Sequence, residues 1–289
     1  MSAERPPAIA FIGAGRVAAA LARGFDRAGQ RVAAIASRRP EAARAIAAAV
    51  TGCRAHASPQ AAADEADLVF LTVPDDAIAP VAAAIAWRAD QSVVHCSGAT
   101  EVAALASAAA RGARTGGFHP LQSFADPETA LAGLAACVIA IEAEEAALRA
   151  TLEALARDLR ARPIVLPPGA RARYHCAGSF ASPFIVGALH EAVKLWASFG
   201  VGEHEALAAL VPLARGTLDA VERDGTVGGL TGPVARGDAG TVARHLAALD
   251  GPTAALYRAL AAALVPIAIG KGLPADKAAA LARLLEGDG

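Results

Sequence analysis

The chain has 289 residues, long enough for one large or two ordinary domains. A formal net charge of −1 gives no basic field for nucleic acid or an anionic membrane, and 4% aromatic residues leave little to stack on bases. Hydrophobic residues make up 55% and mean hydropathy is +0.39, but alanine supplies most of the excess. No uninterrupted apolar run is expected to approach the ~20 residues of a membrane span.

The N-terminal MSAERPPA has no basic n-region, so no signal peptide is expected and a cytoplasmic location is. Ile9 to Ile12 then reads as a buried strand, and Gly13-Ala14-Gly15-Arg16-Val17-Ala18 fits G-x-G-x-x-A before an apolar-periodic helix reaching about Ala28. Val32 to Ala36 closes the unit as strand–helix–strand, the context that makes this pattern a dinucleotide fingerprint. Gly13 allows the tight turn, Gly15 lets the backbone approach a pyrophosphate, and Ala18 keeps the helix close to the sheet. The helix start, with Ala14, Arg16 and Val17, offers N–H groups and a favourable dipole to phosphate.

An NAD-type site usually places a carboxylate about 20 residues past the glycines. Here that stretch is Ser37-Arg38-Arg39, a hydroxyl and two guanidiniums, which suits the 2′-phosphate of NADP.

Alternation continues with a helix from Pro40 to Val50, a short strand at Gly52-Cys53-Arg54, a helix opened by Ser58-Pro59, and a strong strand from Asp67. The end of that strand carries Val73, Pro74 and Asp75 to the cofactor edge, with Asp75 or Asp76 capping a helix that begins near Ala77. Ser92 to His95 runs into Cys96-Ser97-Gly98, where Ser97 offers a hydroxyl and Gly98 a close backbone approach, or simply a turn. Arg114 to Phe118 delivers His119, fixed by Pro120, with Gln122 and Ser123 beside it to orient a ligand. Strands at Cys137 to Ile141 and Pro163 to Leu166, around a helix from Glu144 to Leu159, complete an α/β domain.

The expected organisation is therefore a doubly wound, mostly parallel NADP-binding domain over 1–167 and an all-α substrate and dimerisation domain over 168–289. In the second part, Ala170 to Phe199 reads as one long helix with His175, Ser179 and Ser182 on one face. Those three either line a wet cleft or bond nearby carbonyls. Helices follow at Glu203 to Arg223, Thr241 to Ala248, Pro252 to Ile269 and Ala275 to Leu285. The Gly-rich break between them holds TGPVARGD, in which Arg236 can contact substrate or be solvated, and Asp238 can cap the next helix. Cys53, Cys96, Cys137 and Cys176 are scattered, so buried free thiols are expected rather than disulfides or a metal site.

The motifs IGAGRVA, LTVPDDAI, HCSGA, GGFHPLQSFADP, Tyr174-His175 and TGPVARGD together resemble one family, over nearly the entire chain. It is the Rossmann-like group of candidate NAD(P)-dependent oxidoreductases whose C-terminal half is a domain of unknown function numbered 2520. More distantly, the layout resembles prephenate dehydrogenases, pyrroline-5-carboxylate reductases and β-hydroxyacid dehydrogenases. The resemblance implies a C-terminal domain of the 6-phosphogluconate dehydrogenase C-terminal-like type, a small-molecule substrate in a cleft between domains, and a homodimer.

It assigns no substrate. Leu121 stands where prephenate dehydrogenases have Met after His-Pro, and His175 and Ser179 replace the Lys and Asn of hydroxyacid dehydrogenases. The first lysine is Lys194, so a proton donor is sought in His119, His175, Ser97 or a bound water. The expected function is hydride transfer between NADP(H) and a small carbonyl or imine compound. An NADP(H)-binding sensor or scaffold without turnover is the alternative.

Overall fold

A computed structural model describes residues 6–286, which fall into two compact units divided between Ser182 and Pro183. The first unit alternates β1 (Ile9–Ile12), α1 (Arg16–Arg27), β2 (Val32–Ala36), α2 (Pro40–Ala48), β3 (Arg54–His56), α3 (Pro59–Asp64), β4 (Leu68–Leu71), α4 (Asp75–Ala84) and β5 (Ser92–His95). It continues through α5 (Ala106–Ala109), β6 (Arg114–Leu121), α6 (Pro127–Gly133), β7 (Val138–Ala143), α7 (Ala146–Asp158), β8 (Arg162–Val165) and α8 (Arg171–Ala181). One eight-stranded sheet runs β3-β2-β1-β4-β5-β6-β7-β8, parallel except at the antiparallel β6–β7 junction.

Both faces of the sheet are buried, which explains the unbroken apolar runs of β1 and β4. Side chains alternate between faces. Phe11, Phe70 and Phe118 project to one side and stack with Phe25 of α1, with centroids 5.2 Å apart for Phe11–Phe70 and 5.4 Å for the edge-on Phe70–Phe118 pair. Ala10, Ile12, Val69, Leu71 and Val93 project to the other, against Ile78 and Ala82 of α4. The sheet order reverses about β1, so the loops after β1, β2 and β4 leave one edge together, where doubly wound folds bind ligands.

Several boundaries differ from the sequence reading. Helix α4 starts at Asp75, with Pro74 at its N-cap and no side-chain cap, so Asp75 and Asp76 lie in its first turn and favour its dipole instead of capping it. Strand β6 continues through His119 to Leu121 because β7 pairs along its whole length, His119 opposite Ala140. The first unit also runs on past Pro167-Pro168 and includes α8. The single helix expected from Ala170 to Phe199 is two. Ser182, at φ −133° and ψ −85°, breaks it because Pro183 disfavours helical geometry in the preceding residue. Ser182 therefore leaves the face shared by His175 and Ser179.

The second unit comprises α9 (Pro183–Ala197), α10 (Glu203–Gly229), α11 (Gly232–Arg236), α12 (Ala239–Ala247), α13 (Gly251–Gly270) and α14 (Ala275–Glu286). Its core is Val234, Val242, Ala261, Val265, Ala268, Leu281 and Leu285. Helix α10 passes the expected end at Arg223, across a kink at Gly225 with φ +72°, and the Gly-rich break itself contains α11. Helix α13 has the length and apolarity of a membrane span, with mean hydropathy 1.6 over 18 of its 20 residues, though without an uninterrupted apolar run. Its Val265 and Ala268 contribute to the core of this unit, and Arg258 interrupts the apolar run. Of the cysteines, only Cys137 is fully buried; Cys53 and Cys96 are half-buried and Cys176 is exposed at the surface of α8.

Candidate functional site

The fingerprint loop is pinned from both sides. The Gly13 N–H donates to the Ala36 carbonyl at 2.8 Å, and the Thr72 hydroxyl donates to the Gly13 carbonyl at 2.9 Å. Gly13 has φ +108°, and a Cβ there would collide with the Thr72 carbonyl, so only glycine fits the turn. Nothing lies within 4 Å of a Cβ built on Gly15. Gly15 is the N-cap of α1, whose first turn has no side-chain cap and no acidic residue. That combination leaves N–H groups and a positive dipole end for a phosphate. Ala14 and Ala18 are buried, Val17 packs on the core, and exposed Arg16 donates through Nη1 to the Ala125 carbonyl at 3.2 Å.

Beyond β2, the Ser37 hydroxyl accepts from the Arg39 N–H at 3.1 Å, shaping a turn that leaves Arg38 and Arg39 exposed. Among the described residues no ion pair engages either guanidinium. Val73, half-buried, and Pro74 and Asp75, exposed, follow β4 on the other side of β1. The open cradle at Gly15, the uncapped helix and the two uncommitted guanidiniums fit NADP(H).

A second cluster lies two strands further along. His95, Gly117 and Glu142 form one transverse row across β5, β6 and β7. Over Gly117 lies the fully buried guanidinium of Arg171, from the first turn of α8. Arg171 donates through Nε to Glu142 Oε2 at 2.7 Å and through Nη1 to the Ser97 carbonyl at 2.7 Å. The Ser97 hydroxyl accepts the N–H groups of Ala99 (3.2 Å) and Thr100 (2.9 Å), so it shapes the turn and keeps only its hydrogen for a ligand. Two residues past Gly117, His119 Nδ1 lies 2.9 Å from the Tyr174 hydroxyl. The His175 ring stands 6.0 Å from that of His119. Gly98 faces both rings, and a Cβ on it would lie 2.8 Å from His119 Nε2 and collide with His175.

Burial and the nearby His175 and Arg171 push His119 down to about 4. Burial and Arg171 do the same to His95, also to about 4. Burial raises the Tyr174 phenol to about 12. Both histidines and the tyrosine are therefore uncharged at neutral pH. Depressed histidine values mean that the folded state binds fewer protons than the unfolded chain between pH 4 and the ordinary 6.5. This stabilisation is complete above about pH 6.5 and is lost as pH falls toward 4. Urea melts should show stability falling across that window, by about 3 kcal/mol from His95 alone, and less steeply in a His95→Gln variant. Equal slopes in the two proteins would exclude His95 as the cause.

His119, Leu121, Gln122, Ser123, His175 and Ser182 line a cavity of about 500 Å³ within the first unit. Gln122 Nε2 donates to the Ala130 carbonyl at 2.8 Å, which ties this wall to α6, while Ser123 is exposed. Ser179 bonds the His175 carbonyl at 3.4 Å, the back-bonding alternative. Arg236 is exposed in the second unit and lines a separate cavity with Leu230, Thr231 and Lys271, while Asp238 caps α12 by accepting from the Thr241 N–H at 2.9 Å. The fold thus gathers His119 and His175 beside Ser97 and Gly98. Arg171 and Glu142 were missed by the sequence reading. Their signal was a glutamate ending the apolar run VIAIE and an arginine four residues after Pro167, each ordinary alone. Among the described residues no group of His, Cys, Asp and Glu is placed to hold a metal.

Residues 8–98 match the family of NADP oxidoreductases described as coenzyme F420-dependent, and 137–264 match domain of unknown function 2520. No curated protein matches the chain. Among solved structures, a candidate NADP oxidoreductase from Bacteroides fragilis is 25% identical, with TM-score 0.73 over 89% of this chain and 97% of that one. Protein TM1727 from Thermotoga maritima is 24% identical, with TM-score 0.71 over 91% and 99%. A reductive aminase from Aspergillus terreus, in complex with NADPH and ethyl-5-oxohexanoate, shares the fold at 17% identity, with TM-score 0.63 over 98% and 93%. A dinucleotide-type edge under the first match, followed along the same chain by the second, marks this protein as an NADP-dependent oxidoreductase whose Rossmann-type part is followed by a match to domain of unknown function 2520.

Proposed function

We propose that the protein reduces a small imine or carbonyl compound, and that the reacting bond lies against His119, Tyr174 and His175. The observation that carries this is the His119–Tyr174 pair, 2.9 Å apart and uncharged at neutral pH, beside Gly98, whose missing side chain makes room for the His119 and His175 rings. Bound NADPH supplies hydride to the substrate carbon. The chain orients the substrate and completes the reaction with one proton on nitrogen or oxygen. In one tautomer Tyr174 donates to Nδ1 and His119 offers Nε2–H to a developing oxyanion. In the other, Nδ1–H donates to Tyr174 and Nε2 accepts the N–H of a protonated imine. A reductive aminase, imine reductase and pyrroline-5-carboxylate reductase among the proteins of similar fold support the C=N reading over a sensor without turnover.

Replacing His119 with Ala, or Tyr174 with Phe, should lower kcat for NADPH oxidation with cyclic imines or keto compounds by about 10²-fold, leaving NADPH affinity nearly unchanged. Wild-type kcat in both variants would remove the pair from the mechanism. We further propose a cytoplasmic homodimer joined through the second unit. Helix α9 buries none of its 15 residues, and Leu213, Leu218, Leu260 and Ile269 are exposed on α10 and α13. A solution mass at the monomer's 28.9 kDa would overturn the dimer.

A further inference from the structure

The geometry points to Arg171 as a positioning residue for this reaction, acting through Tyr174 on His119. The inference rests on the proposed role of that cluster. Arg171, Tyr174 and His175 stand at i, i+3 and i+4 on one face of α8, and Gly117 and His119 stand at i and i+2 on one face of β6. Three to four residues advance a helix by about 5 to 6 Å, and two advance a strand by about 7 Å. The two rises nearly match. Seating Arg171 on Gly117 therefore brings the next helical turn over His119.

The seat is specific. Gly117 has no side chain where the guanidinium rests, Glu142 on the antiparallel neighbour takes Nε, and the Ser97 carbonyl takes Nη1. One fully buried fork thus joins the turn after β5 to β7 and α8, and its Ser97 bond fixes the turn that presents Gly98 to the two histidines. A lysine would keep the charge, but a single ammonium on a flexible stem cannot reproduce a planar two-bond fork. The groups facing His119 are Tyr174, His175 and Arg171 from α8, with Glu142 of β7 neutralising Arg171 and His95 of β5 lying beyond.

The test is a double-mutant cycle on the full chain, with three readouts: NADPH affinity, kcat with a cyclic imine, and the His119 titration midpoint by NMR of histidine-labelled protein. Arg171→Lys should bind NADPH within about twofold of wild type, lose about tenfold in kcat and raise the His119 midpoint by about one unit. In Arg171→Lys with Tyr174→Phe, kcat should be no lower than in Tyr174→Phe alone, within about twofold, because the path through the hydroxyl is already cut. Multiplied losses in the double variant would overturn the inference, as would a wild-type kcat and His119 midpoint in Arg171→Lys. If Arg171→Lys does not fold, Glu142→Gln replaces it in the same cycle, with the same two criteria for kcat. A wild-type protein that oxidises no NADPH with any imine or carbonyl substrate sinks the reductase reading alone, since the His119 midpoint still decides the positioning role.

Discussion

Gly117→Ala should cost about 3 to 5 kcal/mol in unfolding free energy, a large share of the stability of an ordinary domain. The added Cβ would fall within the Arg171 guanidinium, closer than any van der Waals contact allows. Strand β6 cannot retreat, because it is paired on both sides, with β5 and β7. The guanidinium cannot shift without releasing Glu142 and the Ser97 carbonyl. Either response leaves a buried charge without its partner, the costly way to break a buried pair. Gly187→Ala is the matched control, since nothing lies within 4 Å of its Cβ and α9 is regular there, so stability should hold or rise by about 0.5 to 1 kcal/mol. Urea denaturation of the two variants reads both effects. A Gly117→Ala midpoint within about 1 kcal/mol of wild type would show that the Arg171 seat is soft.

Why Arg171 escaped the sequence reading follows from the same geometry. The fingerprint was legible because its requirements are local: a strand, two glycines and a helix start within ten residues. The central strands β1, β2 and β4 were legible because both of their faces are buried, so each is a continuous apolar run too short for a helix. The Arg171 network is assembled from β5, β6, β7 and α8, and its residues are separated by up to 74 positions. Nothing in the local pattern distinguishes a buried arginine from a solvated one, since the distinction lies in a carboxylate 29 residues away and a glycine on a third element. The strand context of His119 differed from the sequence reading. The β6 strand was expected to end before it, yet antiparallel pairing with β7 carries the strand three residues further and makes His119 a rigid strand residue. The Ser182 break was legible in principle from Pro183, but apolar residues on both sides of it read as one continuous helix.

Replacing both Arg38 and Arg39 with Ala should weaken NADPH binding by about 100-fold while changing NADH binding by less than about threefold. The number follows from the chemistry. A charge-assisted hydrogen bond contributes about 1.5 to 3 kcal/mol, and 1.4 kcal/mol is tenfold in affinity, so each phosphate contact accounts for about one to two decades, and two at the lower end for about two. The residues are exposed, which keeps the expectation at the lower end, since water and salt already screen them. Salt then becomes an independent check: raising ionic strength from 0.05 M to 0.5 M should narrow the wild-type preference for NADPH and leave the double variant's ratio unchanged. The two positions are not equivalent. The backbone N–H of Arg39 is held by the Ser37 hydroxyl, which fixes the turn, so Ser37→Ala should reproduce part of the loss without removing a charge. Titration of cofactor fluorescence measures all three proteins. If wild type binds NADPH and NADH equally, Arg38 and Arg39 have no phosphate to hold; if only the salt response is missing, recognition rests on the Ser37 turn and its backbone, not on the guanidiniums.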